Sequence, residues 1–380
     1  MAAERVYRHH PAVTGRTREK MRLAWKDLKY NWKKYLLVEI IVVLMMFMVL
    51  FLSGLVKGLG SAVSSSVEHM DADAFLLSDD SEKLLTVSNL TADEFKTAQD
   101  EYNSRITPID IQRMYLQKDK DSDKIDVTYF AIDPEGFLNP AVYQGQKLDN
   151  EANTIVLDDD YESKGIGVGD TVIDAASGIS LKVVGFTKDA MYGHVSVGYI
   201  STDTYTSIMK EVNPMYQESV HAAAIQGKAG KEIDGTQLYS KQEIIKAIPG
   251  YQAEQMTITI VEWLLVVITA LIIGIFFFVI NLQKEKEYGV LKAIGTGMGS
   301  LASMILCQVF LIAACGAVIA ACLVYVMSAA LPATMPFTLD GLQVAVVLCA
   351  FVLISITGSL ATMLRVSRID PAQIIGGDFQ

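Results

Sequence analysis

The residue types that carry out chemistry are present in this 380-residue chain, but their spacings do not assemble a reaction centre. Cys307, Cys315, Cys322 and Cys349 sit inside apolar runs with no Cys-x-x-Cys among them, which argues against a zinc site and a disulfide framework. They read as small apolar packing residues. Of His9, His10, His69, His194 and His221, only the first two are close in sequence. There is no Gly-x-x-x-x-Gly-Lys-Ser/Thr phosphate loop, no Gly-x-Ser-x-Gly and no His-Glu-x-x-His. The chain is therefore expected not to be an enzyme, and any nucleotide it depends on is expected to be hydrolysed by another polypeptide. Two carboxylates stand out, because Glu39 and Glu262 lie within apolar runs. A carboxylate at membrane depth is costly and tends to face a bundle interior or a polar cavity, unless it reaches the headgroups. Both read first as structural, with Glu39 the better functional candidate.

The elements that would position these residues are mostly membrane spans. Hydrophobic types make up 51 % of the chain and charged types 20 %, and the apolar residues are concentrated in four runs. A spanning helix needs about 20 such residues. The runs are 35–57, 258–282, 301–331 and 342–363. The third is longer than one crossing needs, which predicts tilt or projection. Residues 1–34 carry a net charge of +7 and residues 58–256 a net charge of −17. The positive-inside rule then predicts a multi-pass membrane protein with cytoplasmic N- and C-termini and residues 58–256 outside. Nucleic-acid binding is not expected, since it requires a basic face.

Residues 1–34 read as a basic tail and an amphipathic helix on the membrane surface, with Trp25 and Trp32 at headgroup depth. Residues 58–70 read as a stalk continuing the first span, and residues 71–250 as an extracytoplasmic domain large enough for its own core. Within it LTADEFKTAQDEY predicts a helix N-capped by Thr91. KIDVTYFAID and HVSVGYIS predict strands, GVGDTVIDAASGISLKVVGFT a hairpin about Ser177-Gly178, and SKQEIIKAI a short helix. The expected fold is an α-helical membrane protein with four transmembrane helices and a large α+β extracytoplasmic domain between helices 1 and 2. Residues 283–297 and 364–380 are expected in the cytoplasm. In the first of these, Val290, Leu291 and Ile294 are read on one side of a short amphipathic stretch.

The stretch Lys284-Glu285-Lys286-Glu287-Tyr288-Gly289-Val290-Leu291-Lys292-Ala293-Ile294-Gly295 resembles the E-x-G-x-L-K-A-I/L-G segment of FtsX/MacB-type ABC-transporter permeases. So does the tail Ser367-Arg368-Ile369-Asp370-Pro371-Ala372, and the order of one span, a large domain and three spans matches. The resemblance implies that 283–297 is a coupling segment docking on a cytoplasmic ATPase that binds ATP. Glu287, Gly289, Val290, Leu291, Lys292, Ile294 and Gly295 would carry that contact.

A narrower resemblance is to the haem-efflux (Hrt-type) permeases of Gram-positive bacteria, with DevC-type permeases sharing part of it. It is carried by 47–55, 189–194, 251–255, 332–337 and the ending Asp370-Pro371-x-x-x-Ile375-Gly376-Gly377. It implies a homodimer with two ATPase subunits that extrudes haem, a cargo rather than a resident cofactor. Haem asks for an apolar slot, stacking aromatics and a Tyr, Met or His ligand. Met48, Phe51 and Leu55 fall on one helical face. Met48, Phe51, Phe75, Tyr192 and Tyr251 are the expected cargo contacts, with Glu39 and His194 as possible additions. A Met and Phe stripe also serves as packing or lipid contact, and Tyr251 also suits an interfacial belt. Rival readings are export of an antimicrobial peptide or a lipid, and a non-transporting regulator of a cell-wall enzyme or a sensor kinase.

Overall fold

The computed structural model describes residue 30 and residues 32–227, 233–332 and 335–367. Nearly all of the basic tail and surface helix read at 1–34 lies outside them, as does the ending from 368. The chain divides into two compact units, residues 58–257 and the rest.

The first unit is helical. Helix α1 (Trp32–His69) begins here and continues into the second unit. After the interspan domain come α6 (Tyr251–Gln283), the short α7 (Glu285–Ala293), α8 (Met298–Ala330) and α9 (Gly341–Ser367). Four of these, all but α7, are long and apolar enough to cross a membrane. Helix α6 starts seven residues before the apolar run at 258, because Gly250 (φ +89°) ends the preceding turn and nothing between Tyr251 and Ile258 breaks a helix. The inward stripe of α1 is Tyr35, Val38, Val42, Met46, Val49 and Ser53, at the three- and four-residue spacing of one helical face. It packs into one cluster with Ile305, Val309, Ile312, Ala313 and Ala317 of α8. Small residues let helices approach when lipid supplies no hydrophobic drive. Gly274 of α6 and Gly358 of α9 illustrate this: a Cβ on Gly358 would stand 3.5 Å from the Gly274 Cα.

The second unit is an α+β domain. Its strands are β1 (Ala74–Ser78), β2 (Ile106–Gln117), β3 (Ile125–Ile132), β4 (Gln144–Gly145), β5 (Thr154–Asp158), β6 (Thr171–Asp174), β7 (Ser180–Thr187), β8 (Met191–Tyr192), β9 (Val195–Ser201), β10 (Ala222–Ile225) and β11 (Thr236–Ser240). The main path runs β11-β1-β10-β2-β3-β9-β5-β7-β4, with β6 beside β2 and β7 and β8 beside β9. The pairs β3–β9 and β5–β7 are parallel and the others antiparallel. Helices α2 (Ala92–Tyr102), α3 (Asp160–Ser163), α4 (Thr202–Val212) and α5 (Lys241–Ala247) complete the domain. Thr91 caps α2 and Ser240 caps α5, each in a capping box with a Glu three residues on. The hairpin about Gly178 (φ +76°) forms between β6 and β7.

The central strands are buried on both faces. Phe75 and Leu77 of β1 join one cluster and Leu76 another, while Phe130 and Ile132 of β3 part from Val127, Tyr129 and Ala131 in the same way. The end of α1 covers the first of these faces through Val63 and Val67, joined by Met70 just past the helix. Two-sided burial explains why such strands read as continuous apolar runs.

Candidate functional site

Helix α7 is short because Gly295 terminates it. Gly295 adopts φ +94°, with its N–H on the Lys292 carbonyl (3.1 Å) and the Thr296 N–H on the Leu291 carbonyl (3.0 Å), the Schellman arrangement. The three apolar residues of α7 do not share one side, as the sequence suggests. Leu291 turns inward against the buried cluster that holds Tyr288, whereas Val290 and Ile294 are 49 % and 77 % exposed. Residues four apart lie over one another, so Val290 and Ile294 form an apolar patch, with Glu287 also exposed on the helix. At the start of α7 the buried Lys284 donates from Nζ to the Tyr35 hydroxyl (2.6 Å) and lies 5.0 Å from that ring's centroid. This contact ties the segment to the first turn of α1.

Deeper in α1, the Glu39 carboxylate faces α8. Its Oε1 is buried with no hydrogen-bond partner among the described residues, and it would be 3.3 Å from a Cβ placed on Gly316. The carboxylate is thus turned into the helix bundle rather than out to the surface. Further along, Phe51 stacks on Phe47 (5.9 Å) and on Phe337 (5.3 Å), the latter from the segment between α8 and α9. That segment is clasped to α1 by Thr338 N–H on the Gly54 carbonyl (3.1 Å) and Lys57 Nζ on Asp340 (2.8 Å), and the first turn of α9 by Gln343 Nε2 on Ser53 (2.6 Å). Met48 is 49 % exposed and lies in line with Leu44 and Ile40, which are similarly open. Phe51 therefore belongs to an aromatic cluster, and Met48 to an outward stripe.

In the α+β domain, Tyr192 and His194 stand at a two-residue hairpin. Gly193 (φ +57°) and His194 (φ +64°) make the turn between β8 and β9. Its tip is held on the end of α1 by Gly193 N–H on Val63 O (2.9 Å) and His194 N–H on Ala62 O (3.0 Å). The buried serines of α1 add to this, since Ser65 Oγ accepts from Met191 N (3.0 Å) and Ser66 Oγ donates to Met191 O (2.7 Å). His194 Nε2 meets Glu254 Oε1 (3.1 Å) on the first turn of α6. Tyr251 packs against the same cluster as Tyr192, and its hydroxyl faces Ser64. The end of α1, the β8–β9 hairpin and the start of α6 are thus pinned to one another.

Tyr192, His194 and Tyr251 meet at this junction. Tyr192 is 8 % exposed and packs edge-on to Phe130, and its burial pushes the phenol up to about 12. Phe75 is not with them at any surface. Its side chain is wholly buried in the sheet core, where it packs rather than awaits a ligand. The stalk serines were missed from sequence, because Ser64-Ser65-Ser66 reads as a polar stretch until Met191 supplies partners. Among the described residues no group of His, Cys, Asp and Glu could hold a metal ion.

Residues 259–371 match the family model for the FtsX-like permease C-terminal domain. The chain carries an FtsX-like permease domain. The chain is 29 % identical over 358 residues to a protein of Staphylococcus haemolyticus named hemin transport system permease protein HrtB, covering 94 % of this chain and 99 % of that one. It is 27 % identical to the protein of the same name from Staphylococcus epidermidis, again over 94 % and 99 %. An uncharacterised ABC transporter permease of Mycobacterium tuberculosis is 24 % identical over 93 % of this chain and 99 % of its own.

A second polar cluster, in the α+β domain, is expected to make stability depend on pH. Asp110, on β2, is almost wholly buried; its Oδ1 accepts from the His221 N–H (2.8 Å), and His221 Nδ1 accepts from Ile111 N–H (3.1 Å). Tyr205 and Tyr216 also face this group. Burial raises the Asp110 carboxyl to about 7 and lowers His221. A carboxyl whose native value is raised binds more protons folded than unfolded, so its contribution to stability falls as pH rises from about 4 to about 7. His221 works the other way, below its ordinary value. Asp110→Asn is expected to flatten the net slope: thermal melts at pH 5 and pH 8 should differ less in the variant, by an order of 2–3 kcal/mol.

Proposed function

We propose that this permease is the membrane subunit of an ABC exporter that moves haem, or a similarly flat amphipathic molecule, outward. Two copies act with two ATPase subunits, which grip the face of α7 bearing Val290 and Ile294. Residues 58–256 lie outside the cell and both termini inside, a reading the charge asymmetry supports. ATP-driven closure pushes on α7, and the Lys284–Tyr35 contact passes that push to α1. The observation that carries the reading is the likeness to HrtB over 94 % of the chain, which spans the α+β domain as well as the helices. The pinned junction of α1, the hairpin and α6 supports it, since it fastens the end of α1 to the residues expected to meet cargo.

The test is a hemin titration of the permease in nanodiscs, followed by absorbance. A saturable shift is expected, weakened in Tyr192→Phe, Tyr251→Phe and Met48→Ala. Absence of a shift overturns haem as the cargo, and a shift unaltered in all three variants overturns these residues as its contacts. Growth of a deletion strain under hemin and under antimicrobial peptide separates haem export from peptide export.

A further inference from the structure

The α+β domain contains a cleft of about 600 Å³, lying between the loop 137–147, residues 187–190 and the last turn of α1. Its walls are fixed by the fold. Asn139 Nδ2 donates to the carbonyls of Pro134 and Leu148 (both 2.8 Å), and Thr187 Oγ1 donates to Ala141 O (2.9 Å). Strand β4 brings Gly145 (φ +84°) across from Gly185, where a Cβ on Gly145 would run into the Val184 carbonyl. On the opposite wall Asp158 Oδ2 accepts from Ala190 N–H (2.7 Å), and Asp189 is held at φ +51°. A preformed cavity of this size is in the range of small-molecule sites.

The lining is part apolar and part cationic. Phe137, Leu138 and Met70 supply the apolar part. Lys147 and Lys188 supply two ammonium groups, neither with a carboxylate at ion-pair distance among the described residues. Lys188 Nζ lies 4.8 Å over the Tyr143 ring. His69 adds a third nitrogen-bearing group. Of the two acids in the lining, Asp71 is engaged by Gln226 Nε2 (2.8 Å), which leaves Asp189. Tyr199 also lines the cleft and is only 4 % exposed, so that it offers a phenol at the cleft wall.

We propose that this cleft binds a planar amphipathic carboxylate, with its apolar body on Phe137 and Met70 and its carboxylate between Lys147, Lys188 and the Tyr199 hydroxyl. The site goes beyond the transport reading and does not rest on it. The test uses the full chain in nanodiscs and equilibrium dialysis of 2-naphthoate, with empty nanodiscs as the blank and neutral 2-naphthamide as the comparison. One saturable site per chain is expected, with naphthamide bound about tenfold more weakly. The Lys147→Ala/Lys188→Ala pair should weaken naphthoate by at least about tenfold, and Tyr199→Phe, which keeps the ring, by about fivefold. Binding no greater than to empty nanodiscs, equal binding of the amide, or unchanged binding in the double lysine variant overturns the proposal.

Discussion

The chain carrying Val290→Asp and Ile294→Asp is expected to fold and insert normally yet to lose the ATPase docking proposed for this face. The two side chains are 49 % and 77 % exposed, so neither contributes packing whose loss would unfold the bundle. On docking, each would bury an apolar side chain worth about 1–2 kcal/mol, and a carboxylate in its place would also have to be desolvated. Together the changes should weaken association by about 100-fold to 1,000-fold. Pull-down of the ATPase and permease-stimulated ATP hydrolysis both read this, with the melting temperature as the control for folding. The paired control is Leu291→Asp. It falls on the inward side of the same helix and should lower the melting temperature itself. Retention of full ATPase stimulation by the double variant would sink the docking role of this face.

The second large effect belongs to Gly316. A Cβ there would stand 3.0 Å from Val42 Cγ1 and 3.3 Å from Glu39 Oε1, closer than most side-chain contacts allow. Gly316→Leu places a full side chain where α1 and α8 touch. The helices must then separate, losing the close packing that holds membrane helices together. A loss of about 3 kcal/mol is expected, seen as reduced yield and a lower melting temperature in detergent. Gly316→Ala should cost less, and Val42→Ala should relieve part of that cost, because neighbouring substitutions that share a contact do not add. A Gly316→Leu protein with the wild-type melting temperature would show that α1 and α8 do not approach at this point.

Composition and periodicity determined much of this protein. The four spans follow from run length, since backbone polar groups in lipid must be satisfied within the segment and only long apolar helices do so. The capped helix at Thr91, the hairpin at Gly178 and the strand KIDVTYFAID are also local matters, set by side-chain caps, turn chemistry and alternation. The permease resemblance was legible for a similar reason: it rests on short contiguous motifs. Strands such as β1 and β10 were not legible. AFLLS and AAAI are buried on both faces, and a short apolar run does not reveal its secondary structure.

What only the tertiary structure decided is which side chains meet. Phe75 and Tyr192 look alike as aromatic candidates in the sequence. The sheet buries the first in its core and places the second beside a hairpin tip held on α1. Val290 and Leu291 are neighbours in the chain, but the 100° step between them turns one outward and the other inward. The stalk serines, the orphan Glu39 oxygen against Gly316 and the lysine-lined cleft all depend on segments far apart in sequence. Spacing along a chain fixes the face a residue occupies within its own element, whereas long-range packing alone fixes what that face is set against.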